Sequence, residues 1–473
     1  MWGSLSGMLI RFSVENFKSF HAKQDFSMEA DEAVVDLPGN TVVTPAGTLV
    51  KTAAVYGHNA SGKTNLVAAL QTLAGLLERP HPREGFVTRL GRLDPFALGA
   101  DGEPRPCRFE IELLIAGRVF RYLLAADANR VVEEALEATA AGDDERPGPW
   151  EHVFHRQRGD LTFFGNREFG SREKQDLLEE TLNEERPLLA YAVEMKTAVA
   201  ALLQDWFVDA LDIHRLRGAR PERYGMSGLH RRVARRLEAD AEFKHRFLRV
   251  FADADLGVVD AEKRELTADD LNPGLLERLQ ASADRVGDDL EGRVAHHLRV
   301  MQRHEIRLTH RAAGERGVTL PWASESAGTR RFVELLAMLL LHDSGPPRTF
   351  VVDELEASLS PDLLDRLIRL FHDPEVNRSA SQLIFTTHDR SLMDAKRLLR
   401  RDQVWVTQKH DDGHSELYSL ADFKEGEPTP GLIPSRRFGS GAYGGVAEFG
   451  ASLHAPLPAG EPQRLPGVQR GEE

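Results

Sequence analysis

The sequence predicts an α/β fold in which a mixed β-sheet is divided by an inserted helical subdomain. Three observations favour this fold. A glycine-rich loop lies between an apolar strand and an apolar helix near residue 60, and a second apolar strand ends in two acids at 353–354. Between these regions, apolar residues in 154–303 recur mostly at the helical spacing of three and four.

The composition is ordinary for a globular protein of more than one domain, with 473 residues, 41% hydrophobic and 28% charged. A net charge of −14 argues against non-specific coating of nucleic acids as the main activity. No apolar run is long enough to span a bilayer and no signal peptide is visible, so no membrane partner is expected. Cys107 is the only cysteine, which excludes intrachain disulfides and agrees with a reducing, cytoplasmic location.

The first motif is the glycine-rich loop itself, which contains Gly57, four further residues, and then Gly62-Lys63-Thr64. This spacing between a strand and a helix is the phosphate-binding P-loop pattern. Glycines allow the backbone to approach a phosphate, and successive N–H groups at a helix start bind the anion. Lys63 is expected to contact the β- and γ-phosphates, and Thr64 to ligate Mg²⁺. The predicted nucleotide-binding residues are Gly57, His58, Asn59, Ala60, Ser61, Gly62, Lys63, Thr64 and Asn65.

The second motif is the apolar strand 349–352, which ends in Asp353 and Glu354 and has the Walker B arrangement. A continuous apolar strand belongs to a sheet that is covered on both faces, and such sheets bind ligands at their carboxyl edge. Asp353 is therefore expected near Thr64, where it would hold Mg²⁺ directly or through water. Glu354 is expected to polarise the attacking water in ATP hydrolysis. An ordinary acid pair at a strand end is the alternative interpretation.

Two further motifs follow the same logic. The segment 324–331 contains Ser326 and Gly328 before an apolar helix, so it offers a hydroxyl and free N–H groups to an anion, although a plain N-cap also explains its serines. The strand 382–387 ends in His388. Because this strand comes one crossover after the Walker B strand, its end is expected at the same edge of the sheet.

The pattern divides the chain into four parts. The parts are the first half of a nucleotide-binding head (8–150), an inserted helical subdomain (151–304), the second half of the head (305–423) and a Gly/Pro-rich tail that is expected to be poorly ordered (424–473). A hairpin is predicted at residues 116–117 in the first part, and one helix is predicted across 229–251 in the inserted subdomain.

The order of these motifs resembles ABC-type ATPases of the SMC/RecF branch. It is more similar to the stand-alone AAA-domain ATPases related to the overcoming-lysogenization-defect (OLD) proteins, among them the PtuA and AriA subunits of anti-phage systems. The likeness is carried by the opening 9–20 and by 325–329, and it covers about residues 8–125 and 305–420. It implies a P-loop NTPase of ABC/SMC-head type.

The resemblance also implies residue roles. Two chains would sandwich two ATP molecules, with the P-loop of one chain facing the signature segment of the other. The implied roles are trans signature for Ser326, Gly328 and Thr329, D-loop for Ser358, Leu359 and Ser360, γ-phosphate switch for His388, and catalysis for Glu354, His388 and Lys63.

Two residues depart from the family pattern. Gln71 is the only glutamine between the P-loop and Gln157, and it lies in the P-loop helix, so the usual Q-loop ligand is missing or replaced. Ser360 stands where relatives often have histidine.

The leading functional hypothesis is an ATP-gated homodimeric switch, open to higher oligomers, that acts in anti-phage defence with a separate nuclease or toxin effector. One alternative is an OLD-like nuclease acting by itself. Another is a RecF-like DNA repair ATPase, in which four arginines on a helix meet phosphates; a solvated helix face paired with acids explains them equally well. These arginines are Arg231, Arg232, Arg235 and Arg236.

Overall fold

The computed structural model shows four β-sheets with helices packed against them. It describes residues 7–78, 90–99, 105–139, 148–165, 168–215, 228–254, 256–265, 273–286, 291–292, 294, 304–312, 317–343, 345–394 and 398–422. In the described part of the chain, the helices of seven or more residues are α1 (Lys63–Leu77), α2 (Arg172–Thr181), α3 (Leu188–Glu194), α4 (Ala198–Asp205), α5 (Gly228–Ala239), α6 (Ala241–Asp253), α7 (Pro273–Val286), α8 (Ala327–Leu340) and α9 (Pro361–His372). The strands are β1 (Gly7–Glu15), β2 (Gln24–Ser27), β3 (Thr41–Thr44), β4 (Gly47–Val50), β5 (Thr52–Tyr56), β6 (Cys107–Ile115), β7 (Arg118–Ala126), β8 (Val131–Thr139), β9 (Trp150–Gln157), β10 (Asp160–Phe163), β11 (Leu211–Arg215), β12 (Val258–Glu265), β13 (His304–His310), β14 (Val318–Leu320), β15 (Thr349–Asp353), β16 (Gln382–Thr386), β17 (Val404–Lys409) and β18 (Ser415–Ser419).

The largest sheet is antiparallel, in the order β10-β9-β8-β7-β6-β1-β2. The predicted hairpin at 116–117 is confirmed between β6 and β7. Ala116 and Gly117 have φ values of 52° and 77°, which is the left-handed turn that fits the twist of two adjacent strands.

The second sheet carries the predicted site and has the order β11-β15-β16-β5-β17-β18. Its first five strands are parallel and β18 is antiparallel, which confirms a mixed sheet. All five residues of β5, β15 and β16 are buried, because helices or the antiparallel sheet cover both faces. The P-loop strand β5 and the Walker B strand β15 are thus separated by one strand, β16.

A buried amide joins the antiparallel sheet to the parallel strands of the second sheet. Gln382 on β16 accepts a hydrogen bond from the Leu9 N–H (2.8 Å) and donates one to the Leu9 carbonyl (2.9 Å). A side chain thereby replaces the missing backbone partners where the antiparallel sheet crosses the parallel one, so the two sheets are fixed in one register.

The segment 151–304 contains strands as well as the expected helices. β9 and β10 extend the antiparallel sheet, and β12 pairs with β13. A helix is expected as far as Leu211, which follows Phe207 at a spacing of four, and this is wrong. Leu211 begins β11, whose residues alternate between apolar and polar and which pairs in parallel with the Walker B strand. The single helix expected over 229–251 is two helices, since Asp240 caps α6 by accepting from the Phe243 N–H (2.9 Å).

Two further expectations concern the tail and the absence of a membrane span. The tail, 424–473, lies outside the described residues. Among the helices that the structure describes, none is both long and apolar enough to cross a membrane.

Candidate functional site

The P-loop is a tight turn between β5 and α1. Gly57 and Gly62 have φ values of 154° and 117°. A Cβ on Gly57 would lie 2.3 Å from Ser61 Oγ, and one on Gly62 would lie 2.8 Å from Ser415 Oγ. Only glycine fits both positions, so the loop can keep the tight turn that an anion-binding loop requires.

Lys63 lies at the centre of this loop. Its ammonium donates to the carbonyls of Gly57 (2.8 Å) and His58 (3.0 Å). Burial lowers the pKa of Lys63 to about 8, while the carboxylates of Glu356, Asp353 and Glu354 act in the opposite direction. A cation that is partly desolvated and held by weak carbonyl acceptors is well placed to bind a phosphate instead.

Asp353 and Thr64 meet at the carboxyl edge of the sheet, as the sequence predicted. Asp353 Oδ1 accepts hydrogen bonds from the hydroxyls of Thr386 (2.7 Å) and Thr64 (3.3 Å). The carboxylate is buried at the end of β15 whereas Thr64 is exposed. A carboxylate beside a threonine hydroxyl is the oxygen set that Mg²⁺ prefers next to a nucleotide. Their role as metal ligands stays a prediction.

Glu354 follows in a strained turn. Its φ of 55° is left-handed, and its N–H donates to Thr386 Oγ1 (2.8 Å). The side chain is exposed above the edge of the sheet. The Thr386 hydroxyl therefore positions both acids at once, which sequence reasoning missed. The signal lies in Thr386-Thr387-His388, in which the family resemblance implies a role only for the histidine.

His388 lies on the same edge, with Nδ1 3.4 Å from Lys63 Nζ. Burial, followed by the Lys63 charge, lowers the pKa of His388 below its ordinary value, so the neutral imidazole is favoured. Its backbone N–H donates to Glu356 Oε1 (2.7 Å). Glu356 is a second residue that sequence reasoning missed, and it ties the Walker B turn to the histidine turn.

The signature segment begins α8. Ser326 is its N-cap and accepts from the Thr329 N–H (3.0 Å), so the N-cap interpretation is confirmed. Ser326 is also exposed. A Cβ on Gly328 would lie 2.9 Å from the Ser358 carbonyl, which shows that the signature packs on the D-loop of its own chain.

The D-loop is a surface turn between β15 and α9. Ser358 has a φ of 68°, and Ser360 is the N-cap of α9. Both serines are exposed and Leu359 is half-buried. The exposed N-terminal segments of the neighbouring helices α8 and α9 therefore lie side by side. That they contact the nucleotide of a second chain stays a prediction.

A wall of small hydroxyl side chains supports the back of the P-loop. The Ser61 hydroxyl donates to Thr407 Oγ1 (2.6 Å), and Thr407 in turn donates to the Tyr56 carbonyl (3.1 Å). Asn65 donates to Ser19 Oγ (2.8 Å), and the Ser19 carbonyl accepts from the Ser415 N–H (2.7 Å). The β17–β18 hairpin and the segment after β1 thus fix the loop, which no motif had indicated.

The four arginines predicted for DNA contact do not form one free face. Arg232 Nη2 lies 2.9 Å from His342 Nε2, and burial lowers the pKa of that imidazole to about 4, so it accepts. Arg236 lies over the Phe243 ring (4.9 Å) and faces Asp240. Arg235 is exposed, and the side chain of Arg231 lies outside the described residues. At least two of the four are directed at their own chain.

The residues present fit an Mg²⁺–nucleotide site. At Gly57 and Gly62 the loop leaves room that a Cβ would fill. The Lys63 ammonium contacts two carbonyls of the loop and the His388 ring, which a phosphate can replace as its partner. Thr64 and Asp353 would hold Mg²⁺, which neutralises charge on the phosphates when it is bound.

Fold and site together define the class: an AAA-domain protein with a P-loop and a Walker B strand at one edge of a mixed sheet. A family model described as "AAA domain, putative AbiEii toxin, Type IV TA system" matches residues 53–185 and 209–394. Because this match covers more than half of the sequence, the chain belongs to that AAA-domain family. No curated protein matches the chain.

Solved SMC heads are similar over most of the chain. SmcHead bound to the C-winged helix domain of ScpA is 15% identical, with 87% of this chain and 97% of that chain covered and a TM-score of 0.42. The SMC head domain from Thermotoga maritima is 14% identical (87% and 98% covered, TM-score 0.35). The Smc head domain with an extended coiled coil, bound to the C-terminal domain of ScpA derived from Pyrococcus furiosus, is 13% identical (87% and 96%, TM-score 0.39). The family assignment rests on the family model.

Proposed function

We propose that this chain binds and hydrolyses ATP with Mg²⁺ and dimerises around the nucleotide as a switch. One observation carries the proposal: Asp353 Oδ1 is hydrogen-bonded to Thr64 of the P-loop helix α1 and to Thr386 at the end of β16. Three segments that are far apart in sequence therefore meet at the place where a P-loop ATPase needs its metal and its base.

Each residue has a distinct part in the proposed reaction. The loop N–H groups and Lys63 bind the phosphates of the substrate ATP and orient its γ-phosphate. Thr64 and Asp353 hold the metal. Glu354 accepts a hydrogen bond from the attacking water and positions it, and general-base catalysis of this kind contributes about 10²–10⁴-fold. His388, kept neutral by burial and by Lys63, hydrogen-bonds the γ-phosphate region.

Dimerisation is supported by the surface beside the site. Ser326 is exposed at the start of α8, and Ser358 and Ser360 are exposed in the neighbouring turn. Helix N-termini with free donors bind anions. In the proposed dimer, the signature segment of one protomer completes the phosphate site of its partner. Bound ATP therefore holds the two protomers together, and its hydrolysis lets them dissociate.

The proposed biological role is control of a separate effector in anti-phage defence. It is supported by the resemblance of the sequence motifs to those of stand-alone defence ATPases and by the family description, which includes the words "putative AbiEii toxin, Type IV TA system". The RecF-like alternative loses support because Arg232 and Arg236 face their own chain. An OLD-like nuclease stays the second candidate, and metal-dependent DNA cleavage by the purified chain alone would favour it.

The test is the solution mass and turnover of Glu354→Gln with and without ATP–Mg²⁺. We expect turnover to fall about 10²–10⁴-fold and an ATP-dependent dimer to accumulate. Ser326→Arg in the same background should abolish the dimer. Glu242→Gln and Ser171→Arg, which change an exposed glutamate and the exposed N-cap of α2, are the matched controls. Unaltered turnover in Glu354→Gln would refute the base assignment, and a monomer under all conditions would refute the dimer.

A further inference from the structure

The β17–β18 hairpin carries two different faces. Gln408 is paired with Glu416, and Lys409 with Ser415. Because side chains alternate along a strand, His410, His414 and Glu416 project from one face, and Thr407 and Ser415 from the other. The inner face, with Thr407 and Ser415 fully buried, packs on the P-loop. The outer face is open, with 34% of the His410 and 25% of the His414 side chain exposed.

The three outer side chains converge on one point. The ligand atoms of His410, His414 and Glu416 all lie within 4.8 Å of one another. His410 Nε2 is 3.0 Å from one carboxylate oxygen of Glu416, and His414 Nε2 is 3.9 Å from the other. Zn²⁺ with bonds of about 2.0–2.2 Å sets its ligands roughly 3.3 Å apart. The His410 and His414 rings are stacked, with centroids 4.4 Å apart and 11° between their planes, so the rings must rotate for both nitrogens to face one ion.

The hydrogen bonds around the cluster favour a metal over a set of surface ion pairs. His410 Nε2 is shielded from solvent and makes no hydrogen bond within the described chain, although Glu416 is close to it. His414 Nδ1 contacts the carboxylate of Asp412. A carboxylate on one ring nitrogen leaves the lone pair of the other nitrogen for a metal, as in many zinc sites.

The turn that carries these residues is closed by its own backbone. The His410 N–H donates to the His414 carbonyl (2.9 Å), and the Gly413 N–H donates to the His410 carbonyl (2.9 Å). Gly413 has a φ of 85°, which glycine adopts without strain. The ligands are therefore presented by a rigid element, so little conformational entropy is lost when an ion binds.

We propose that His410, His414 and Glu416 bind one borderline divalent transition ion of the Zn²⁺ type, with Asp412 orienting His414. The two nitrogen ligands select such an ion over Mg²⁺, which prefers oxygen. The ion would tie the two strands together one residue from Ser415 and three from Thr407, the side chains that support the P-loop. Metal binding would therefore increase the affinity of the nucleotide site, a second claim that rests on the proposed ATP binding.

The first experiment measures Zn²⁺ binding without nucleotide, by equilibrium dialysis of chelator-treated, untagged full-length protein. We expect one Zn²⁺ per chain, not displaced by millimolar Mg²⁺. The double variant His410→Asn, His414→Asn should lose the site, and Asp412→Asn should weaken binding about 10–100-fold. His155→Asn is the matched control, because His155 also faces a carboxylate, that of Glu133, on an exposed strand. Circular dichroism checks that each variant is folded.

The outcomes separate the two claims. A wild-type chain that binds no Zn²⁺ at micromolar concentration, or a folded double variant that binds it equally well, would overturn the metal site. ATP affinity that rises severalfold with Zn²⁺ in the wild type, but not in the double variant, supports the coupling. An unchanged ATP affinity in a chain that does bind Zn²⁺ would overturn only the coupling, and absence of ATP binding would refute the proposed function while the Zn²⁺ result stands.

Discussion

Replacing Thr386 by valine removes one hydroxyl at the point where three motifs meet. The side chain is 1% exposed, and valine has nearly the same shape. In the wild type its hydroxyl donates to Asp353 Oδ1 (2.7 Å) and accepts from the Glu354 N–H (2.8 Å). The variant therefore loses two hydrogen bonds without creating a cavity.

The expected cost follows from what each lost bond joins. A hydrogen bond to a charged acceptor contributes about 1.5–3 kcal/mol, and a neutral one about 0.5–1.5 kcal/mol. Because the turn at Glu354 is partly open to water, its N–H recovers part of the loss. We expect the free energy of unfolding to fall by about 2–4 kcal/mol. With Asp353 no longer oriented, the Mg²⁺ dependence of ATP hydrolysis should shift about 10–100-fold towards higher Mg²⁺.

Thr349→Val is the matched control. Thr349 is equally buried at the other end of the Walker B strand and donates to Gln382 Oε1 (3.0 Å), which keeps the Leu9 N–H as a donor. We expect a loss of about 0.5–1.5 kcal/mol and no change in Mg²⁺ dependence. Urea unfolding and an Mg²⁺ titration of turnover measure both quantities. An unchanged Mg²⁺ dependence in Thr386→Val would refute the view that this hydroxyl positions the acids.

Further predictions concern the P-loop and the helix that follows it. Because the pKa of Lys63 is about 8 in the nucleotide-free site and bound phosphates raise it, ATP affinity should be constant below pH 8 and about tenfold weaker at pH 9 than at pH 7, as measured with a fluorescent ATP analogue. In the free protein the unfolded state binds more protons between about pH 8 and 10.5, so this lysine adds stability as pH rises there, and Lys63→Met should remove that slope. Gly62→Ala should abolish nucleotide binding and cost about 1–3 kcal/mol, because its φ is 117° and its Cβ would lie 2.8 Å from Ser415 Oγ. Gly75→Ala, in the open interior of α1, should instead stabilise the fold by about 0.4–1 kcal/mol, and calorimetry that found the same sign for both would contradict the reasoning.

The sequence was most informative where function constrains the backbone. The P-loop needs glycine at two positions, and the Walker B strand needs acids at the carboxyl edge of a buried strand, so the sequence alone predicts both motifs and places Asp353 near Thr64. The strand end at His388 was placed correctly for the same reason, since parallel strands end at one edge.

The residues that were missed are those whose role comes from tertiary pairing. Thr386 and Glu356 lie inside motifs but act through hydrogen bonds between strands and turns, which have no local pattern. β11 is hard to recognise because Leu211 follows Phe207 at the helical spacing of four, and the alternation of Leu211-Asp212-Ile213 is too short to stand out. The His410 cluster was invisible for a further reason: its ligands come together only because two strands are in register.

The buried amide of Gln382 has a consequence for how the chain is made. Its partner Leu9 lies 373 positions earlier, so at ordinary rates of synthesis roughly 20 to 75 seconds separate the two ends of this contact. During that time β5, whose neighbours in the sheet are β16 and β17, has left the ribosome with both edges unpaired. The nascent first half therefore exposes both edges of an apolar strand whose partners are not yet synthesised, which makes it a natural client of chaperones. A ribosome that stalls before residue 382 releases a fragment prone to aggregate.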